Sequence, residues 1–152
     1  MAIKLTSPAF ADGGMIPPKF TCDGRSVSPA LQWGPVPAGT KSWAVICNDP
    51  DAPGGNFVHW ILYDLPAGET GVPEALPLDE VLDNGAKQGT TDYGSPGYSG
   101  PCPPSGVHRY VFRVFALDTV LNLPSEATED RVLKAIKGHV LDEGKLTGKY
   151  GR

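Results

Sequence analysis

The sequence predicts a mainly β, loop-rich chain that closes with one amphipathic helix. Three observations carry that expectation. Glycine and proline are abundant, 19 and 16 residues, and they separate apolar runs of strand length rather than diluting them, which suits turns between strands and not disorder. The strongest runs, residues 41–48, residues 57–65 and Val107–Asp118, are β-branched and aromatic. Near the C-terminus the period changes: Val132, Leu133, Ile136, Val140 and Leu141 form one stripe at helical spacing.

Taken in order, Ala2–Thr6 alternates polar and apolar and reads as an edge strand. Lys19–Gly24 reads as a short strand entering an Asp-Gly turn, and Pro29–Trp33 as another, closed by G-P-V-P-A-G. The strands at 41–48 and 57–65 flank N-D-P-D-A-P-G-G, and their apolar runs suggest burial on both faces. Leu78–Leu82 suggests one helical turn ended by Asn84-Gly85, and Ala86–Asp92 a weak strand. Tyr93–Gly106 carries too many prolines and glycines for regular structure. In the strand that follows it, His108, Tyr110, Phe112, Val114 and Ala116 share one face, and Val107, Arg109, Val111, Arg113, Phe115 and Leu117 the other. Pro124, Ser125 and Thr128 offer helix-start signals, Gly144 a stop, and Lys145–Tyr150 a short extended tail.

The length of 152 residues suits one domain with a real core, expected to span residues 1–152. Net charge is −4 with no block of like charges, which argues against nucleic acid or an anionic membrane as the main partner. No apolar stretch approaches the roughly 20 residues of a membrane span, so no stable membrane insertion is expected. M-A-I-K-L-T-S-P lacks the features of a signal peptide, and the expected location is cytoplasmic. Of three cysteines, Cys47 reads as a small core residue. Cys22 and Cys102 lie in loops that could approach each other, and are expected to be free thiols in a reducing compartment.

The residues that could carry chemistry gather at strand ends beside these loops. Asp49 and Asp51 sit two apart, which in extended geometry puts both carboxylates on one side. Taken alone, they are better explained by turn capping, because Asp accepts local backbone N–H groups. His59, between Val58 and Trp60, could be a hydrogen-bonded core residue. Together with His108 and Tyr110 it could also line a pocket. A metal is weakly indicated, since no H-x-H, H-x-x-x-H or C-x-x-C spacing occurs. Ser99 in G-Y-S-G lacks the G-x-S-x-G elbow of a serine hydrolase. Phosphate-binding loops and dinucleotide fingerprints are absent. An anion is the third option: imidazole N–H, a phenol and the backbone N–H groups of Gly97–Gly100 all donate. Two nearby aspartates would repel a fully ionised phosphate, so a monoprotonated phosphate or an amine-bearing head group fits better.

Several motifs in this order resemble the phosphatidylethanolamine-binding protein family, and in particular its bacterial and archaeal Raf kinase inhibitor-like members. They are D-P-D-A-P at Asp49–Pro53, His59-Trp60, G-P-C-P-P at Gly100–Pro104 and G-V-H-R-Y at Gly106–Tyr110. T-C-D-G at Thr21–Gly24, S-P-A-L-Q-W at Ser28–Trp33 and the ending G-K-L-T-G-K-Y-G-R support them. The resemblance implies a β-sandwich of two antiparallel sheets with a few short helices, and a small anion pocket at one end of the central sheet. Carried over, that pocket takes Asp49, Asp51, His59, Gly100, Pro101, His108 and Tyr110. Tyr98 is added on local grounds as a loop aromatic at the rim, and Arg109 is expected on the opposite face in a structural role, paired with a buried or half-buried carboxylate.

The implied function is binding of a small phosphorylated or carboxylate anion, with no cofactor, no metal and no catalytic residue. A kinase or protease as regulated partner, and a homodimer through the C-terminal helix and tail, are further expectations. A hydrolytic or metal-assisted enzyme using the same pocket is the alternative. Only Gly54–Val58 separates D-P-D-A-P from His59, where animal members carry a longer insertion, so the pocket is expected to take a head group and leave acyl chains outside.

Overall fold

The computed structural model describes residues 3–151. Its strands form two antiparallel sheets. The smaller holds β1 (Lys4–Thr6), β2 (Leu31–Gly34) and β5 (Gly71–Val72) in the order β1-β2-β5. The larger runs β6-β4-β3-β7-β8 and comprises β3 (Ser42–Ala52), β4 (Gly55–Pro66), β6 (Lys87–Gln88), β7 (Val107–Leu117) and β8 (Val140–Gly151). One helix, α1 (Glu129–Ile136), packs on the outer face of the larger sheet.

β3 is buried from Ser42 through Asp49 because both of its faces are covered. Trp43, Val45 and Cys47 face the smaller sheet, together with Trp60, Leu62, Phe112, Val114, Leu31 and Trp33. Ala44 and Ile46 face α1, with Ile61, Tyr63, Phe115, Val132 and Ile136. The alternation expected in β7 holds: Tyr110, Phe112, Val114 and Ala116 belong to the inter-sheet core.

A break in strand register decides where the site forms. Cys47 pairs with Trp60 but Asn48 with Val58, so His59 is an extra residue in β4, a β-bulge. In a regular strand His59 and Trp60 would point to opposite faces. The bulge lets Trp60 enter the inter-sheet core while His59 turns into a hollow on the same side.

Several sequence expectations are corrected. Lys19–Gly24 is not a strand: Pro18–Phe20 forms a 3-10 turn, with the proline at its start. Leu78–Leu82 forms no helical turn, and the segment Ala86–Asp92 yields only β6 and an isolated bridge at Thr90. The Ala2 end of the first strand lies outside the described residues.

The C-terminal helix stops at Ile136, capped at its start by Thr128, which accepts the Arg131 N–H at 3.4 Å. Gly138, at φ +84°, turns the chain, and the supposed tail is β8, hydrogen-bonded along β7. Val140 and Leu141 prolonged the helical stripe in the sequence, yet both are exposed. The inward residues of β8 are Gly144, Leu146, Gly148 and Tyr150, and two glycines erase the alternation that marks a strand. Those glycines are required by contact: a Cβ at Gly148 would lie 2.5 Å from Ile16 and one at Gly144 2.5 Å from the Ile3 carbonyl. The tail expected to be available for a homodimer is thus part of the sheet.

Cys22 and Cys102 are bridged, which overturns the expectation of free thiols and removes that support for a reducing compartment. Cys47 is the free, buried cysteine. Among the described residues no helix is long and apolar enough to cross a membrane.

Candidate functional site

At one end of the larger sheet, on the side facing the core, four polar side chains from three strands meet: Asp49 of β3, His59 of β4, and His108 and Tyr110 of β7. They line a hollow of about 170 Å³. Ala52, Pro53, Phe57, Tyr93, Cys102, Pro103 and Pro104 complete its wall.

The His108 Nδ1 lies 2.7 Å from the Asp49 Oδ2. A carboxylate only accepts, so Nδ1 carries the proton and Nε2 is left for the hollow. The other Asp49 oxygen accepts the Asp51 N–H at 2.8 Å. Both carboxylate oxygens are therefore held before any ligand arrives.

The second imidazole is clamped at the backbone. His59 Nδ1 lies 2.7 Å from the Ser99 carbonyl, while the His59 carbonyl accepts the Ser99 N–H at 2.9 Å. Nδ1 is again the protonated nitrogen. Burial lowers the basicity of His59, against the opposing pull of the Ser99 carbonyl and the Asp49 and Asp92 carboxylates. Its Nε2 is then an unprotonated acceptor at neutral pH.

Tyr110 stands between the two rings, with centroids 5.3 Å from His59 and 6.4 Å from His108. Its hydroxyl is buried near the Asp49 carboxylate and makes no well-formed hydrogen bond among the described residues. Burial, then the Asp49 charge, raises its pKa, so it remains a neutral phenol with a proton to donate. A buried hydroxyl without a well-formed hydrogen bond costs about 1–3 kcal/mol, and a polar ligand atom would relieve that. Phe57 and Tyr93 form an aromatic wall, their rings 4.8 Å apart and edge-on. Tyr93 is 52% exposed and marks the rim.

Four residues expected in the pocket do not line it. Asp51 turns away from Asp49 because the hairpin breaks register between Asp49 and Ala52. Its carboxylate accepts the Arg109 backbone N–H and Nε–H at 2.9 Å and Nη2–H at 2.8 Å. Arg109 thus has the carboxylate partner expected of it, and the guanidinium holds Asp51 far below the ordinary carboxylate range. Tyr98 is buried, donates to the Phe20 carbonyl at 2.7 Å and packs edge-on against Trp60. Gly100 donates to Ser26 Oγ at 2.9 Å, and a Cβ there would lie 2.6 Å from the Phe20 carbonyl. The Pro101 carbonyl accepts the Cys22 N–H. With the Cys22–Cys102 bridge, these three residues anchor the loop that carries Pro103 and Pro104 to the hollow.

Sequence reasoning missed Phe57, Tyr93, Pro103 and Pro104. Phe57 had a signal, since it precedes His59 by two on a strand and so shares its face. Tyr93 had none beyond membership of the irregular loop. Among the described residues no three His, Cys, Asp or Glu side chains are grouped as a metal ion would need.

Residues 6–151 match the family described as phosphatidylethanolamine-binding protein. A UPF0098 protein of Methanothermobacter thermautotrophicus is 51% identical over 150 residues, covering 99% of both chains. Two solved structures share the fold. One is described as a putative phosphatidylethanolamine-binding protein homolog, CT736, of Chlamydia trachomatis (TM-score 0.91, 37% identity, 99% of this chain and 98% of that one). The other is Escherichia coli YbcL, described as a new member of the mammalian PEBP family (TM-score 0.93, 33% identity, 100% of this chain and 99% of that one). Motifs, sheet order and these matches agree, and the chain belongs to the phosphatidylethanolamine-binding protein family.

Proposed function

We propose that the hollow binds a small anion, a phosphate or the phosphorylated end of a larger molecule, and performs no chemistry on it. The observation that carries this reading is the Tyr110 hydroxyl, buried without a well-formed hydrogen bond between two imidazoles whose Nδ1 atoms are already committed. The ring then offers a donor at Tyr110, an acceptor at His59 Nε2, and at His108 Nε2 a nitrogen that donates once it takes a second proton.

A monoprotonated phosphate monoester complements that set. Its P–OH donates to His59, and its remaining oxygens accept from Tyr110 and from protonated His108. The Asp49 carboxylate balances the charge on His108 and disfavours a fully ionised phosphate. The volume supports a head group and not a lipid: about 170 Å³ is below the roughly 300 Å³ at which pockets for drug-sized ligands begin.

Isothermal calorimetry with O-phosphorylethanolamine and inorganic phosphate tests the reading. Binding weakened in His59→Ala, His108→Ala and Tyr110→Phe is expected. Wild-type affinity in all three would overturn the assignment. Regulation of a protein partner such as a kinase or protease would then use the exposed rim at Tyr93 and Pro104, and a complex that survives His59→Ala and His108→Ala would favour it.

One observation favours an enzymatic reading: the Asp49–His108 pair has the form of an oriented general base. The nucleophile in that case is water, because no serine lines the hollow and its cysteine, Cys102, is bridged. Turnover of p-nitrophenyl phosphate, lost in His108→Ala, would decide for it.

A further inference from the structure

The opposite face of the same sheet carries a different surface. Along the outer side of β7 and β8, Arg109 stands opposite Lys149 and Arg113 opposite Lys145. Like charges directly opposite one another destabilise a sheet. This protein is acidic overall, 17 acidic against 13 basic side chains, so two such pairs side by side are not a by-product of composition.

Little local charge offsets them. Asp51 takes Arg109. Glu129 is held by the Asn48 and Asn56 amides, and Glu143, two residues before Lys145 on the same face of β8, forms no ion pair with it. Among the described residues no carboxylate forms an ion pair with Arg113, Lys145 or Lys149. Arg113 rests over the Phe115 ring and donates a long 3.4 Å bond to Asn48.

Three of these cations, Arg109, Arg113 and Lys145, line a groove of about 460 Å³ between α1 and the sheet, with Pro50, Val111 and Leu133 as its apolar lining and Glu129, tied to the two asparagine amides, as its one carboxylate among the described residues. Arg109 and Arg113 are four residues apart on one strand, about 13 Å at roughly 3.3 Å per residue.

We infer that this groove docks an acidic, extended segment of another protein, with carboxylates spaced to meet Arg113 and Lys145 at one end and Lys149 at the other. Charge complementarity selects the partner. A groove between α1 and the sheet, with apolar as well as cationic lining, suits a peptide better than a duplex or a bilayer. The surface is separated from the hollow by the sheet, so it is independent of the anion reading.

The test is fluorescence anisotropy at low ionic strength, using a fluorescein-labelled peptide with glutamate at every fourth residue among threonine and serine. Binding that weakens with salt is expected, unchanged in His59→Ala and at least ten-fold weaker in Lys145→Glu. The same substitution turns the Arg113–Lys145 repulsion into an attraction, so its Tm should rise as its peptide affinity falls. Lys149→Glu gives the same pair of readouts if Lys145→Glu does not fold. Absence of peptide binding, or wild-type affinity in both variants, would overturn the proposal. So would tighter binding of duplex DNA or phosphatidylglycerol vesicles through the same residues, or self-association in sedimentation that Lys145→Glu abolishes.

Discussion

Asp49 and His108 lie 59 residues apart in sequence and 2.7 Å apart in space, with side chains only 5% and 9% exposed. The carboxylate fixes which imidazole nitrogen bears the proton and turns the other toward the hollow. Asp49→Asn offers an amide that can also accept, but without charge, so a bound anion loses the balance on His108. Phosphate affinity should fall by about 1.5–3 kcal/mol, roughly ten-fold or more, measured by calorimetry.

Its neighbour two residues on predicts the opposite. Asp51 is occupied by Arg109 outside the hollow. Asp51→Asn should leave phosphate affinity within about two-fold of wild type, because that pair is exposed and screened. Equal losses in the two variants would return Asp51 to the site.

Stability should depend on pH through His59. Its folded-state pKa is lowered by burial from an ordinary value of 6.5. The unfolded chain therefore takes up the proton first, and stability falls as pH drops below about 6.5, until the folded-state value is reached. In thermal melts across that window, His59→Gln should flatten the fall in Tm relative to wild type.

The Cys22–Cys102 bridge closes a loop of 80 residues. A cross-link of that span contributes about 2–4 kcal/mol, chiefly by restricting the unfolded chain. Cys22→Ser/Cys102→Ser should lower the urea midpoint accordingly. Denatured, unreduced protein should titrate with one thiol, Cys47.

Gly100 has no room for a side chain, with the Phe20 carbonyl and Ser26 Oγ both 2.6 Å from where a Cβ would sit. Gly100→Ala should destabilise by about 1–3 kcal/mol in urea unfolding. Phosphate binding should weaken too, as the loop bearing Pro103 and Pro104 shifts.

Much of the fold was legible because local patterns and tertiary demands coincide in β3, β4 and β7. Their apolar runs are long, and in β7 the face assignment from Tyr110 to Ala116 follows from alternation alone. The signal failed where contact replaced side chains with glycine. In β8, Gly144 and Gly148 make room for Ile3 and Ile16, and no window of sequence separates such glycines from turn residues. It failed again at the hairpin: Asp49 and Asp51 share parity, but a register break sends one inward and the other to Arg109. Gly100 and Pro101 entered the expected pocket through the family resemblance and Tyr98 as a loop aromatic, yet all three anchor the loop and do not line the hollow.

By itself the sequence determined the β character of the chain, the strands that carry Asp49, His59, His108 and Tyr110, and the family resemblance, because each is written in short-range pattern. Tertiary structure alone decided the bulge that aims His59, the partner of Cys22, the division of the two aspartates and the basic groove behind the sheet. These depend on cross-strand register and on contacts between residues far apart in the chain, which local composition does not encode.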